Sequence, residues 1–285
     1  MKHLLAIIVF CSISMLVFTT GISAQTTPVK IIDFLTIRFS EQKLKLDDIC
    51  RIKDDALSAR IFKEYGAVFI SVDAVTPPPK CIFESETELA AFQNRLQSRT
   101  ETIGGTTIDL QADAMELLLR AVKDAERRGK KITPRGGKTA ASRSFADTQR
   151  IWDSRFFPGL THWTLKEKIS AADAEAAKKM TIPNQVRKVL EWEAKGYFFS
   201  TGKDRTILSS VAAPGTSQHL SMLALDVTQF ADPLVRQILN MHGWYQTVAD
   251  DTPHFTYLGV PEADLPARGL KPVARGGYTF WVPNI

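Results

Sequence analysis

Ser217-Gln218-His219-Leu220-Ser221-Met222-Leu223-Ala224-Leu225-Asp226-Val227 is the stretch on which the fold and the chemistry of this 285-residue chain turn. Leu223, Leu225 and Val227 alternate with Ala224 and Asp226, which is the period of an extended strand. The first three therefore face a core, and Ala224 and Asp226 share the other side. A carboxylate set in a run of buried residues needs a partner. Backbone amides or an arginine would serve. A metal ion is the other candidate, because His219 lies seven residues before Asp226, where a bending chain can return its ring over the Asp226 face.

A second stretch, Asp250-Asp251-Thr252-Pro253-His254-Phe255-Thr256-Tyr257-Leu258-Gly259, places His254 and Thr256 on one strand face and Phe255 and Tyr257 on the other. If the two strands are neighbours, His219, Asp226 and His254 converge. Two imidazoles and one carboxylate with a fourth position open have the composition of a catalytic zinc site rather than a closed structural one. Water on such an ion titrates near about 7.

Working outward, Asp232-Pro233 followed by Leu234, Val235, Ile238 and Leu239 predicts a helix with a carboxylate cap, proline in its first turn and Gly243 as terminator. His242 falls in its last turn and reads as a favourable cation there, not as a ligand. Extended segments are expected at 222–227, 244–248 and 254–258, with an edge strand at 278–282 ended by Pro283. Upstream, Met115, Leu118, Leu119, Val122 and Ala125 repeat at helical spacing and Gly129 closes that helix. Residues 131–133 read as a brief strand leading into a Gly-rich loop. Helices follow at 144–156 and 183–194, and 158–163 reads as a loop in which His162 is not taken as a ligand. Earlier still, 67–72 looks β-like and 86–96 helical. Helices preceding a cluster of short strands define an α+β class, with a small, mostly antiparallel sheet and flanking helices.

Residues 1–24 stand apart. A basic start at Lys2, an apolar run from Leu4 to Phe18 and small residues up to Ala24 make a secretory signal peptide, cleaved after Ala24. The alternative is an uncleaved anchor, for which the run is short. The expected location is thus exported, periplasmic or extracellular, and Cys11 belongs to the signal. Removing this segment lowers the formal charge from +5 to +4. That mild basicity suits an anionic surface, and no basic stripe interleaved with aromatics points to nucleic acid. Of the remaining cysteines, Cys50 and Cys81 either pair, for about 3 to 4 kcal/mol in the chain-entropy model, or stay as two thiols. Residues 25–104 show no chemistry and read as an N-terminal α+β segment of unassigned role, whether a small subdomain, a targeting module or an extension packed on the core, ahead of the domain at 105–285 that carries the candidate site.

The pattern Ser-x-His-(x)6-Asp, then an acid, two residues and His, resembles the zinc D-alanyl-D-alanine carboxypeptidases and dipeptidases of the lysostaphin and hedgehog-like metallopeptidase superfamily. The likeness covers residues 105 to about 260. It implies that His219, Asp226 and His254 bind zinc and that Asp251 is the general base. Ser142-Arg143-Ser144 with Gln149 downstream is similar to that family's Tyr-Arg-Ser segment, which implies that Arg143 grips a substrate carboxylate and that Ser217 contacts substrate backbone. Three residues depart from the pattern: Met222 stands for the usual Gly, Asp251 for Glu, and Pro253 for Trp. Asp for Glu withdraws the base by about 1.5 Å, and Asp250 is a neighbouring substitute, though its side chain should face elsewhere. The resemblance implies an exported zinc metallopeptidase acting on peptidoglycan stem peptides, with those peptides as its partners. The rival expectations are a zinc-containing wall-binding protein without turnover and a metal-dependent hydrolase of non-peptide substrates.

Overall fold

The computed structural model describes residues 28–285; the expected signal peptide and its expected cleavage point lie outside the described residues. The architecture is mixed α and β with small antiparallel sheets, as the pattern of helices and short strands predicts. The helices are α1 Ile31–Glu41, α2 Leu46–Ile49, α3 Ala56–Tyr65, α4 Glu86–Gln93, α5 Ala112–Arg127, α6 Phe145–Leu165, α7 Ala171–Lys178, α8 Ile182–Glu193 and α9 Pro233–Met241. The strands are β1 Ser98–Ile103, β2 Thr106–Gln111, β3 Ala224–Asp226, β4 Trp244–Tyr245, β5 His254–Tyr257, β6 Leu270–Arg275 and β7 Tyr278–Pro283. No helix among the described residues is long and apolar enough to cross a membrane.

The central sheet runs β3-β5-β4 with all pairs antiparallel. Its register sets Asp226 opposite His254, Leu225 opposite Phe255 and Ala224 opposite Thr256. The alternation read from the sequence therefore becomes a cross-strand pair. Leu223, Leu225, Val227, Phe255 and Tyr257 enter one core with Met115 and Leu118 of α5 and Ile238 and Leu239 of α9. The same core holds Ile31 and Leu35 of α1 and Ile70, so residues on both sides of position 104 share it. Cys50 and Cys81 are joined by a disulfide, with Cα atoms 5.2 Å apart.

Two hairpins border this sheet. In β1–β2, Ile103 pairs with Thr106 across Gly104-Gly105, and both glycines have positive φ (58° and 81°). A two-residue hairpin loop twisted to match its strands requires that conformation, which glycine adopts without Cβ strain. Gly276-Gly277 turns β6–β7 in the same way.

Three local expectations are corrected. Residues 66–70 form a 3-10 helix rather than a strand; Ala67, Val68, Phe69 and Ile70 are all buried, and a short unbroken apolar run of this kind does not distinguish strand from helix by its periodicity. Residues 131–133 form no strand. Pro134 makes an isolated bridge to Val227, and Arg135 N–H donates to the Asp226 carbonyl at 2.8 Å. The helix expected at 144–156 continues through Pro158 to Leu165, placing His162 in its last turn instead of a loop. Trp152, Phe156, Gly159 and Leu160 keep one face buried along its length, and tertiary packing of that face outweighs the proline penalty. A Cβ on Gly159 would lie 2.2 Å from the Phe199 ring, so the helix rests directly on that ring.

Candidate metal centre

His219 sits in a short 3-10 turn, Gln218–Ser221, that leads into β3. The turn ends at Met222, whose backbone is left-handed (φ 56°, ψ 31°). That conformation favours glycine, so the residue that departs from the resembled pattern occupies the position where glycine is easiest. The reversal brings the His219 ring over β3. His219 Nε2 lies 3.1 Å from His254 Nδ1, and each of these nitrogens lies 3.4 Å from Asp226 Oδ1. Both rings are buried, at 1% and 4% exposure, and Asp226 is partly so.

The far nitrogens fix the tautomers. His219 Nδ1 faces the Ala141 carbonyl at 3.1 Å, and a carbonyl only accepts, so this nitrogen carries the proton. Gln218 donates through Nε2 to the Tyr65 carbonyl at 2.9 Å, which turns its Oε1 inward. That oxygen accepts from Thr256 at 2.5 Å, from Thr247 at 3.2 Å and from His254 Nε2 at 2.8 Å. His254 Nε2 is thus protonated as well. Two bare nitrogens and a carboxylate oxygen then face one another with no proton among them. Such a cluster of lone pairs repels unless a cation sits within it, so His219, Asp226 and His254 could hold a metal ion.

Electrostatics agree with that protonation. Burial, followed by the Arg143 charge, lowers the His219 pKa to about 4, leaving the ring neutral at neutral pH. Burial opposes the charge on Asp226, but attraction and hydrogen bonds from the imidazoles in their protonated forms outweigh burial and hold its pKa well below the usual carboxylate range, so at neutral pH an ionised carboxylate stands beside neutral rings. Arg143 Nη2, 2.7 Å from Asp226 Oδ2, supplies a permanent positive partner. Arginine was one of the partners expected for a strand aspartate, and it occupies the carboxylate oxygen turned away from the imidazoles.

Arg143 reaches this position because the capping box of α6 fixes the chain just after it. Ser144 N–H donates to Asp147 Oδ2 at 3.1 Å and Asp147 N–H to Ser144 Oγ at 3.0 Å. Its own Nε donates to the Thr139 carbonyl at 3.0 Å. Arg143, Ser217 and Asp251 line one cleft of about 180 Å³ with the three candidate ligands. Burial, with the nearby Asp226 charge adding to it, pushes the Asp251 pKa up to about 6 against the attraction of His254, Arg143 and Arg135. Asp250 points elsewhere: its Oδ2 accepts from Arg275 Nη1 at 2.6 Å. His242 Nε2 lies 3.0 Å from Asp124 Oδ2 at the end of α9, away from the cluster. A larger hollow of about 670 Å³ lies beside α9 and the β6–β7 hairpin and includes none of these ligands.

Sequence reasoning missed two residues. Gln218 lies between Ser217 and His219, and only the fold reveals that its amide oxygen gathers three donors. Arg155 also lines the cleft, and nothing in the pattern of charges along α6 distinguishes it from other helix-surface arginines. Gln218→Ala should weaken metal binding about 10- to 100-fold, the usual cost of losing an outer hydrogen-bond partner of a ligating histidine. Competition with a chromogenic chelator measures this, and an unchanged affinity would show that His254 orients without Gln218.

No protein-family model and no curated protein matches the chain.

Proposed function

We propose that this chain is a zinc metallopeptidase of the D-alanyl-D-alanine carboxypeptidase and dipeptidase family, with a hedgehog-like catalytic core, and that it hydrolyses peptidoglycan stem peptides after export. The observation that carries the reading is the triangle of donor atoms, with sides of 3.1, 3.4 and 3.4 Å. Tetrahedral zinc with bonds of about 2.0 to 2.1 Å separates neighbouring ligands by about 3.3 Å. The donor set of two imidazoles and a carboxylate favours zinc over hard cations such as magnesium or calcium, which prefer all-oxygen shells. Three protein ligands beside an open cleft are the arrangement of a catalytic site, not a structural one.

Zinc, when bound, supplies Lewis acidity that polarises the scissile carbonyl and makes water a competent nucleophile near neutral pH. The remaining steps belong to the chain. Asp251 takes a proton from the attacking water; the water oxygen bonds to the carbonyl carbon, the C–N bond breaks, and Asp251 returns the proton to the leaving amine. Burial, which raises the Asp251 pKa in the metal-free chain, favours its holding the proton, and the cation would favour its ionised form, so both halves of that task are within its reach. Ser217, on the wall of the same cleft, is the group offered to the substrate backbone, while the Arg143 guanidinium, expected to grip a substrate carboxylate, is engaged by Asp226.

Purified protein should release alanine or shorter peptides from muropeptides, lose that activity on chelation, and regain it when zinc is restored, as followed by mass spectrometry of the products. Zinc bound at one equivalent without turnover on any muropeptide would instead overturn the peptidase reading.

A further inference from the structure

Arg155 is a cation of the cleft for which the chain provides no counter-charge. It lines the same hollow as His219, Asp226 and Asp251. Its Nη1 donates to the Ser154 hydroxyl at 3.0 Å and lies 3.4 Å from the Ser154 carbonyl. That carbonyl lacks its helical N–H partner because residue 158 is proline. Both acceptors are neutral. Nε is buried with no acceptor, and among the described residues Arg155 has no ion-pair partner. Arg143 differs, since it is neutralised by Asp226 at 2.7 Å and tied through Nε to Thr139.

A second cation stands close by. Burial, and then the Arg155 charge, lowers the Lys203 pKa. The loop carrying Lys203 is pinned by the Glu193 carboxylate, which accepts from Phe199 N–H at 3.0 Å, Ile207 N–H at 2.7 Å and Thr206 Oγ1 at 2.6 Å. Lys203 Nζ donates to the Ser200 carbonyl at 2.9 Å. The nearest acid in sequence, Asp204, is turned to Ser200 Oγ at 2.9 Å and lies 3.6 Å from Arg205 Nε. Arg155 thus stands in the cleft with an unsatisfied donor, neutral acceptors alone and a like charge in its field, an arrangement that an entering anion relieves.

We propose that Arg155 is the anion-binding residue of the cleft and holds a carboxylate of the peptide, while Arg143 orients Asp226. The peptide identity of the ligand rests on the metallopeptidase reading; the anion site does not. A planar guanidinium offers a carboxylate two parallel hydrogen bonds, which selects this ligand chemistry over a simple point charge. The carboxylate comes either from the C-terminus of the peptide or from an acidic residue within it.

Two pairs of probes separate the sources. The first is diacetyl-L-Lys-D-Ala-D-Ala and its C-terminal amide; the second is L-Ala-γ-D-Glu-L-Lys-D-Ala-D-Ala with its internal α-carboxylate free or amidated. Affinities are measured by calorimetry on the full chain without metal, where no turnover intervenes, and initial rates are measured after zinc is restored. The expected result is about tenfold or greater preference for the free acid in one pair, as a charge-assisted hydrogen bond confers. That preference is lost in Arg155→Ala and partly kept in Arg155→Lys, while zinc stoichiometry and melting temperature stay at the native values. A preference in the first pair assigns the C-terminal carboxylate, and one in the second pair assigns the internal carboxylate. No preference in the native protein, or a preference that survives Arg155→Ala, overturns the proposal. Absence of hydrolysis by the zinc-loaded protein sinks the peptidase reading alone, because the binding comparison still decides the role of Arg155. A variant that melts early is replaced by Arg155→Gln, which retains the length of the side chain.

Discussion

Asp226→Asn is expected to lower zinc affinity by at least about a thousandfold and to abolish turnover, because one neutral substitution disables two interactions, the carboxylate bond to the metal and the ion pair with Arg143. Asp226 Oδ1 is one corner of the donor triangle, 3.4 Å from each imidazole nitrogen, and Oδ2 accepts from Arg143 at 2.7 Å. Asparagine retains the shape but not the charge that balances a divalent ion and a guanidinium. Removing one member of a largely buried ion pair costs about 3 to 5 kcal/mol, mostly from the charge left behind. Arg143 and Asp226 side chains are each 17% exposed, so a loss near the lower end, about 3 kcal/mol, is expected for the metal-free protein. Calorimetric titration with zinc and thermal melting with and without the metal provide the readouts. The native protein should melt higher as zinc is added, since a ligand that binds only the folded state adds RT ln(1 + [L]/Kd) to its stability. In the variant that rise should vanish. A variant that still binds zinc tightly would mean that the two histidines suffice and that Asp226 serves Arg143 alone.

The legible part of this site was the part carried by strand geometry. Period two in residues 223–227 and 254–257 fixed which side chains share a face, and the antiparallel register then placed Asp226 directly opposite His254. The helices at α5, α8 and α9 were equally readable, because capping residues and terminal glycines mark their ends locally. What escaped was decided at long range. Pro158 looked like a helix end, yet the buried face of Trp152, Phe156 and Leu160 carries α6 past it. The role of Gln218 depends on Tyr65, Thr247 and Thr256, which lie 153, 29 and 38 residues away in the chain, and no window of local sequence contains them.

The chemistry of the cleft also depends on that long-range part. Arg135 N–H bonded to the Asp226 carbonyl, together with the Pro134–Val227 bridge, ties the Gly-rich loop to the edge of β3. Arg143 follows within the same loop, so the cation that neutralises Asp226 is anchored to the strand that carries Asp226. The site is therefore largely formed before any ligand arrives, and binding a metal need not order it first.

Asp251→Asn should reduce kcat by about a hundredfold to ten-thousandfold, the usual contribution of a general base, while making the metal-free protein more stable. The sign follows from the environment of the carboxylate. Its folded pKa is about 6 against 3.8 for the free side chain, with burial as the principal cause and the charge of Asp226 adding to it. A carboxylate with a raised pKa costs nothing below the unfolded value, where both states are protonated. Its penalty grows between pH about 4 and 6 and is complete above 6, reaching on the order of 2 to 3 kcal/mol. Asparagine removes that penalty, so the variant should melt on the order of 5 °C higher at pH 7.5, with the advantage fading by pH 4. Turnover by the zinc-loaded protein should fall on the acid side, since the base must be ionised to accept a proton, with its midpoint below the metal-free value of about 6 because the cation favours the ionised carboxylate. Zinc reverses the balance: a divalent cation in the cleft attracts the Asp251 charge, so the stabilising effect of Asn should shrink in zinc-loaded protein. Parallel melts at pH 4 and 7.5, with and without zinc, test all of these signs together. A variant less stable than the native protein at pH 7.5 without metal would mean that Asp251 is a structural partner rather than a base held at a cost for catalysis.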